Sequence, residues 1–263
     1  MAKGPRSWRQ VLFYLFQCQP ELRLHPALTG TLVVPYYIKR TEGIGSNEGL
    51  SDVKLQLTYG FHLDPGTGFS RNTAEDTAIT LEGKERTYLA ASAMLSIPSG
   101  DHRQRLDDGS VDPGMQPGFG APAYTLGLTA ARAFGPLTIN AEVSADFFTE
   151  RDNFQFGSEL RGNLAGVYKL YGNTSSAISK VACILELNYL HLGRDREDGE
   201  GLDGTGGDIL YVSPGLRFAL PGNANLRMLV KLPVWKSLNE ESDQQGAEGL
   251  EKYRLITTVS FCF

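Results

Sequence analysis

Residues 137–147 read LTINAEVSADF, and apolar and polar side chains alternate through the whole stretch. The odd-numbered positions carry Leu, Ile, Ala, Val, Ala and Phe, and the even-numbered positions carry Thr, Asn, Glu, Ser and Asp. A period of two residues predicts a β-strand with one apolar face, because successive side chains of a strand point to opposite sides. About ten residues are also enough for a tilted strand to cross the hydrocarbon layer of a membrane.

The same alternation recurs along the chain. Arg132 falls on the apolar side of its strand, which predicts either a β-bulge or a side chain that reaches out to polar surroundings. Ten strands are readable, or eleven with the weak segment 8–18. If the strands close into a bacterial membrane barrel, their number should be even. We then expect twelve strands, with one of them upstream or within 62–86. The predicted strands are 29–39, 52–61, 87–97, 123–134, 137–147, 160–170, 181–191, 209–220, 226–235 and 253–263.

The links between these strands alternate in length. Short links lie at 135–136, 171–180 and 221–225, and long polar links lie at 40–51, 101–121, 149–158, 194–208 and 236–252; only 62–86 breaks the order. A soluble β-sandwich or lipocalin-like barrel explains alternating strands but not this sorting of links. The sequence therefore predicts one domain over 1–263, an all-β antiparallel transmembrane up-and-down barrel with a poorly defined segment at 1–28.

Aromatic residues collect at both predicted ends of the strands, as they do at the two interfaces of a bilayer. The last residue, Phe263, is typical of the terminal aromatic signal by which outer-membrane barrels are recognised for insertion, so we predict the barrel-assembly machinery as a partner. We expect the outer membrane of a Gram-negative bacterium, although no signal peptide is visible: the apolar run 11–16 is short and lacks a cleavage site. The lower group is Tyr59, Phe61, Phe134, Tyr168, Tyr171, Phe218, Phe261 and Phe263, and the upper group is Tyr36, Tyr37, Phe147, Phe148, Tyr189, Trp235 and Tyr253.

Composition narrows the function classes. Asp and Glu number 30 against 25 Lys and Arg, and this acidic balance argues against nucleic-acid binding. No run approaches the roughly 20 apolar residues of a transmembrane helix. Cys18, Cys183 and Cys262 are odd in number and far apart, so they match neither a disulfide framework nor a zinc site.

No motif indicates an enzyme, a cofactor or a metal site. An outer-membrane lipid-acting enzyme needs a Ser–His pair, and none of the four histidines has that spacing. His102 with Asp101, Asp107 and Asp108 is the best acid–base cluster, but a solvated loop is the favoured interpretation. The acidic loop 194–208 fits no calcium motif, so we expect a solvated loop that divalent ions bridge to lipopolysaccharide.

Charged side chains on the polar side of the strands form the candidate site. Asp146 and Arg161 flank one loop on neighbouring strands, which predicts a cross-strand ion pair. The set is either a structural ion-pair network or the lining of a pathway for anionic or polar solutes, and Leu190, Leu192, Leu229 and Ile256 would add an apolar patch. The set is Lys54, Glu142, Asp146, Arg161, Lys169, Glu186, Arg217, Arg227, Lys231 and Arg254.

Several segments resemble a family of bacterial outer-membrane "transporter" proteins associated with the meta-pathway of phenol degradation. They are GLSDVKLQLTYGF (49–61), LSIPSGD (95–101), FGPLTINAEVSADF (134–147), ELRGNLAGVYKLY (159–171) and the final phenylalanine. The resemblance implies an outer-membrane barrel that passes small aromatic or other hydrophobic compounds. We therefore predict a channel for passive uptake, with outer-membrane lipid, lipopolysaccharide and a small solute as partners. The alternatives are a lipid-acting enzyme barrel and a structural or adhesive barrel that works through loops 194–208 and 236–252.

Overall fold

The structure is a computed structural model, and it describes ten ranges of the chain. These are 11–25, 27–41, 45–64, 68–71, 87–107, 109–111, 113–172, 180–221, 224–239 and 251–261. The predicted assembly signal Phe263, Cys262 and the segments 72–86 and 240–250 lie outside them. Cys18 and Cys183 are free thiols.

Strands account for most of the described chain, and Pro113–Met115 forms a single 3-10 turn. Within the described ranges no helix is long and apolar enough to cross a membrane. The strands are β1 (Val11–Cys18), β2 (Glu21–His25), β3 (Leu28–Thr41), β4 (Gly45–Leu50), β5 (Val53–Asp64), β6 (Gly68–Arg71), β7 (Thr87–Ile97), β8 (Ala123–Phe134), β9 (Leu137–Phe148), β10 (Phe154–Gln155), β11 (Glu159–Gly172), β12 (Lys180–Leu192), β13 (Arg196–Glu197), β14 (Glu200–Gly201), β15 (Gly207–Leu220), β16 (Ala224–Leu238) and β17 (Arg254–Phe261).

The long strands form one up-and-down sheet in which every pairing is antiparallel. Its order is β1-β3-β5-β7-β8-β9-β11-β12-β15-β16-β17, and the sheet is open between β1 and β17. All ten predicted strands are present, and the weak segment 8–18 is confirmed as β1 over its described part, Val11–Cys18. This path holds eleven strands, so the expected twelfth is not found among the described residues.

The predicted link 40–51 is partly wrong, because 45–50 continues the sheet as β4. β4 pairs with the upper part of β3 and β5 with the lower part, so the two act as one strand interrupted at Ser51 and Asp52. On the other side of β3, β1 and β2 divide the same strand in the same way. The carboxylate of Asp52, at this interruption, is part of the candidate functional site.

On one face of the sheet, the apolar face, the large side chains are exposed. Leu128 is 65% exposed and Leu185 is 59% exposed. The opposite face, the polar face, instead holds buried residues, including Ile209, Tyr211 and Ser213 of β15. A soluble lipocalin-like barrel would bury the apolar side chains, so this arrangement is the reverse of a soluble fold.

For four residues the structure refines the predicted assignment of side chains to the two faces of the sheet. Arg132 keeps a continuous register with both neighbouring strands, so no bulge occurs there, and its guanidinium lies 5.1 Å from the centre of the Phe134 ring on the same face. Tyr37 and Phe148 lie at the predicted upper strand ends but on the polar face, so their rings do not join the aromatic side chains of the apolar face. A register shift between β15 and β16 pairs Leu210 with Trp235, which returns the indole to the apolar face.

Candidate functional site

The ten predicted charged residues all lie on strands of the large sheet, on its polar face. Lys54 is on β5, and the other nine lie on the consecutive strands β9 to β17 of the path. Three ion-pair groups and one anchored loop organise this face.

The first ion-pair group lies at the upper ends of β9 and β11. Asp146 is paired directly with Glu159 in the register of these strands, and Arg161 follows two residues later on the same face. The Arg161 guanidinium forms ion pairs with both carboxylates, and the Thr125 hydroxyl donates a hydrogen bond to Asp146. The predicted Asp146–Arg161 pair is confirmed. Glu159 was missed, although its position two residues before Arg161 is the signal that could have found it.

The second ion-pair group joins two strands that are separated by a third strand of the sheet. Arg227 of β16 forms an ion pair with Glu186 of β12, and β15 lies between them. The β15 strand carries Gly215 at this level, so no side chain there obstructs the guanidinium. Above the pair, Ser213 donates a hydrogen bond to Asn188 at 3.0 Å, and Asn188 donates one to Asn163 at 3.0 Å. Neutral hydrogen bonds thus connect β11, β12 and β15 beside the ion pair.

The third group is built around Glu251, just before β17. The Arg254 guanidinium contacts both oxygens of this carboxylate: Nε lies 2.7 Å from Oε1, and Nη2 lies 3.0 Å from Oε2. The Tyr211 hydroxyl donates to Oε2 at 3.3 Å, and the Lys236 ammonium donates to the Glu251 carbonyl at 2.6 Å. The Lys231 ammonium lies 3.9 Å from the centre of the Tyr211 ring. These contacts hold several cations around one buried carboxylate.

The loop 98–122 between β7 and β8 is anchored to the polar face. Asp52 is buried, and its carboxylate accepts hydrogen bonds from the backbone N–H groups of Gly100 (2.9 Å), Phe119 (2.8 Å) and Gly120 (3.3 Å). Lys39 of β3 donates to the carbonyl oxygen of Gly114 at 2.7 Å. Because Asp52 and Lys39 point to the polar face, the loop lies on that side of the sheet.

Two glutamines inside the loop fix its shape. Gln104 accepts from the Glu48 N–H at 3.1 Å and donates to the Glu48 carbonyl at 2.6 Å, so the loop adds to the edge of β4. Gln116 is buried, and its side chain accepts a hydrogen bond from the Gln104 N–H at 2.8 Å and donates one to the Gln104 carbonyl at 2.9 Å. The loop is therefore ordered by these contacts, although Asp101, Arg103, Arg105 and Asp107 remain exposed as a solvated loop predicts.

The acid–base cluster expected around His102 is not assembled. His102 lies beside Gly120 and Arg151, with its Nδ1 3.0 Å from the Gly100 carbonyl oxygen. Asp101 lies against Gly49 and Asp107 against Gly45, both on β4, and Asp108 is outside the described residues. The histidine and these two aspartates therefore contact different parts of the structure.

Aromatic side chains join this loop to the next one. The Phe119 ring lies 4.7 Å from Phe156 and 6.0 Å from Phe148, centre to centre, and Phe154 lies 5.1 Å from Phe156. Offset and edge-on rings at these separations attract one another and exclude water. The Arg151 guanidinium adds a hydrogen bond to the Phe119 carbonyl at 2.7 Å.

The acidic loop 194–208 is also ordered. Its strands β13 and β14 form a three-stranded sheet with β10, and the Asp195 carboxylate accepts the Gly157 N–H at 2.8 Å. Arg194 and Asp203 form an ion pair at 2.9 Å. In the part of the chain that the structure describes, no three His, Cys, Asp or Glu side chains converge as a metal site would require. The expected solvated loop is thus a small folded unit.

Comparison with known proteins supports the fold. Neither a protein-family model nor a curated protein matches the chain. Among solved structures, the chain is similar to an outer membrane channel from Pseudomonas putida F1, with a TM-score of 0.64 and 12% sequence identity. The match covers 88% of this chain and 79% of the other. The all-β antiparallel up-and-down architecture predicted from the sequence is confirmed.

Proposed function

We propose that this chain is an outer-membrane channel through which small solutes pass without energy input, along the polar face as its lumen. One observation carries the proposal. The apolar face is exposed, while the side chains of Arg161, Arg227 and Arg254 on the opposite face are still 40 to 54% exposed. A barrel that served only as an anchor would fill its interior with side chains. Here charged groups on the interior face remain in contact with water.

The solved structure that this chain resembles in fold is described as a channel, which agrees with the proposal. We further propose small compounds, aromatic or hydrophobic ones included, as solutes; this rests on the family resemblance of segments such as 134–147. Leu190, Leu192 and Ile256 are half-buried on the polar face and could contact an apolar solute, whereas Leu229 is buried.

The same proposal sets the location and the partners. The apolar face would contact outer-membrane lipid, the ordered loops around β10, β13 and β14 would face lipopolysaccharide, and the C-terminal strand would engage the assembly machinery of a Gram-negative cell. The lipid-acting enzyme gains no support: the His191 ring bonds the Asp208 carboxylate at 2.8 Å, and the His102 ring contacts a backbone carbonyl.

A cysteine pair on β8 tests the channel. Thr129 lies on the polar face and Leu128 on the apolar face, so Thr129→Cys and Leu128→Cys make a matched pair in a background with the native cysteines changed to serine. Each protein is refolded in detergent, checked for a heat-dependent shift in gel mobility, and inserted into a planar bilayer. A charged, water-soluble thiol reagent should reduce the conductance of the Thr129→Cys protein and leave that of Leu128→Cys unchanged.

The outcomes separate the alternatives. A folded, heat-shifting protein without conductance would mean a sealed lumen and favour the structural or adhesive barrel. Protein that is soluble without detergent and shows no shift would contradict the membrane barrel itself. Equal reagent effects at the two positions would contradict the assignment of the polar face as the conduction path.

A further inference from the structure

We propose that the lumen carries small carboxylate anions along a basic track formed by Arg217, Arg227, Lys231, Arg254 and Lys236. The proposal rests on the channel function above and adds the class of solute and the residues that select it. Three features support it: the uneven exposure of positive and negative side chains, the strand register, and the length of the track.

The cations of this wall are more exposed to solvent than their carboxylate partners. The side chains of Arg227 and Arg254 are 40% and 54% exposed, whereas those of their partners Glu186 and Glu251 are 15% and 9% exposed. The carboxylates lie beneath the guanidiniums, so each ion pair presents its positive member to the lumen. A solute in the lumen therefore experiences a positive wall, although the ion pairs themselves are neutral.

Two cations of the track form no direct ion pair with a carboxylate among the described residues. Arg217 donates a hydrogen bond to the neutral Asn225 side chain at 3.2 Å, and Lys231 contacts the Tyr211 ring. Each also lies opposite another cation in the strand register: Arg217 pairs with Arg227, and Lys231 pairs with Arg254. Like charges directly opposite each other destabilise a sheet. An anion bound between the members of such a pair would relieve that repulsion.

The track follows the length of β16. From Arg227 to Lys236 the strand advances nine residues and contains one bulge, which gives about 26 Å along the strand. With the tilt usual in such barrels, this covers roughly two thirds of a hydrocarbon layer of about 30 Å. Several weak sites in series allow an ion to enter and still leave, as conduction requires.

The chemistry of the track favours carboxylates. Arginine presents a planar fork of N–H donors that matches the two oxygens of a carboxylate, and lysine adds a compact charge. Within the site itself, the Arg254 guanidinium approaches both oxygens of Glu251, with a hydrogen bond from Nη2 to Oε2 and a close approach of Nε to Oε1. A small organic carboxylate could replace water at the exposed edge of each guanidinium without breaking the ion pair beneath it.

Reversal potentials of the refolded wild-type channel in a KCl gradient, and then in a potassium acetate gradient, test the proposal. The variants are Lys231→Met and Arg217→Gln, singly and together, because neither change leaves a buried carboxylate without its partner. One charge acting across roughly 8 Å of water changes the partition of the anion and of the cation about twofold each, in opposite directions, so each removed charge should lower the anion-to-cation permeability ratio about fourfold. Arg40→Gln is the control, since it removes an exposed charge from the apolar side of β3.

Wild-type protein that prefers anions in both salts, with the preference reduced in the two variants and kept in the control, is the expected result. A conducting wild-type channel that prefers cations would overturn the anion track and leave the channel function standing. Passage of chloride without acetate would overturn the carboxylate class. Absence of conductance from folded protein would overturn the channel function, and this inference with it. The wild-type measurement decides even if a variant fails to fold.

Discussion

Replacing Asp52 by asparagine should release the loop 98–122 from the polar face. The Asp52 carboxylate accepts three backbone N–H groups, Gly100 on Oδ1 and both Phe119 and Gly120 on Oδ2. Asparagine keeps one acceptor oxygen and turns an NH₂ group toward the remaining donor. One charge-assisted hydrogen bond is then lost and the other two become neutral, so we expect a loss of about 3 kcal/mol in the local stability of the loop.

That loss corresponds to roughly a hundredfold larger population of the opened loop. Hydrogen exchange of the Gly100, Phe119 and Gly120 amides measures it directly, because their protection reports local opening. Asp107→Asn is the matched control, since Asp107 belongs to the same loop and is exposed. Exchange at these amides that is no faster in Asp52→Asn than in the control would refute the anchoring role of Asp52. The strands of the large sheet should keep their protection in both variants.

Three further substitutions test the geometry. Gly120→Ala should speed exchange in the loop by about tenfold or more, because Gly120 has φ +79° and an added Cβ would lie 2.7 Å from Arg151 Nη1. Gly215→Ala should lower resistance to urea by several kcal/mol, since the Cβ would lie 2.2 Å from a carbonyl oxygen of β16. Arg227→Met should cost about 2 kcal/mol in urea unfolding by leaving Glu186 without its guanidinium, and Glu186→Gln added to it should recover most of the loss. No recovery in that double variant would contradict the ion pair.

The strands and one ion pair were predictable because both depend on local rules. Alternation in 137–147 fixes which side chains share a face, and a two-residue turn at 135–136 leaves β8 and β9 little freedom of register. Asp146 and Arg161 flank one link on adjacent strands, so their contact follows once that register is set. Sequence reasoning succeeds where the partner is the next strand.

The anchored loop and the strand-crossing ion pair could not be predicted in this way. The partners of Asp52 lie 48 to 68 residues further along the chain and are backbone groups, which carry no sequence signature. The Arg227–Glu186 pair skips β15 and depends on the missing side chain of Gly215. Trp235 illustrates a third limit, because a single bulge reverses the face that alternation assigns to it.

The direction of the edge strands supports the expected even number of strands. Eleven strands that alternate in direction leave the first, β1, and the last, β17, running the same way. Direct pairing of these edges would be parallel, and leaving them unpaired in hydrocarbon would cost several kcal/mol for each exposed backbone group. One additional strand, antiparallel to both edges, satisfies every N–H and C=O and makes the total twelve. Closure by antiparallel pairs alone therefore predicts one further strand, so twelve stays the expected number.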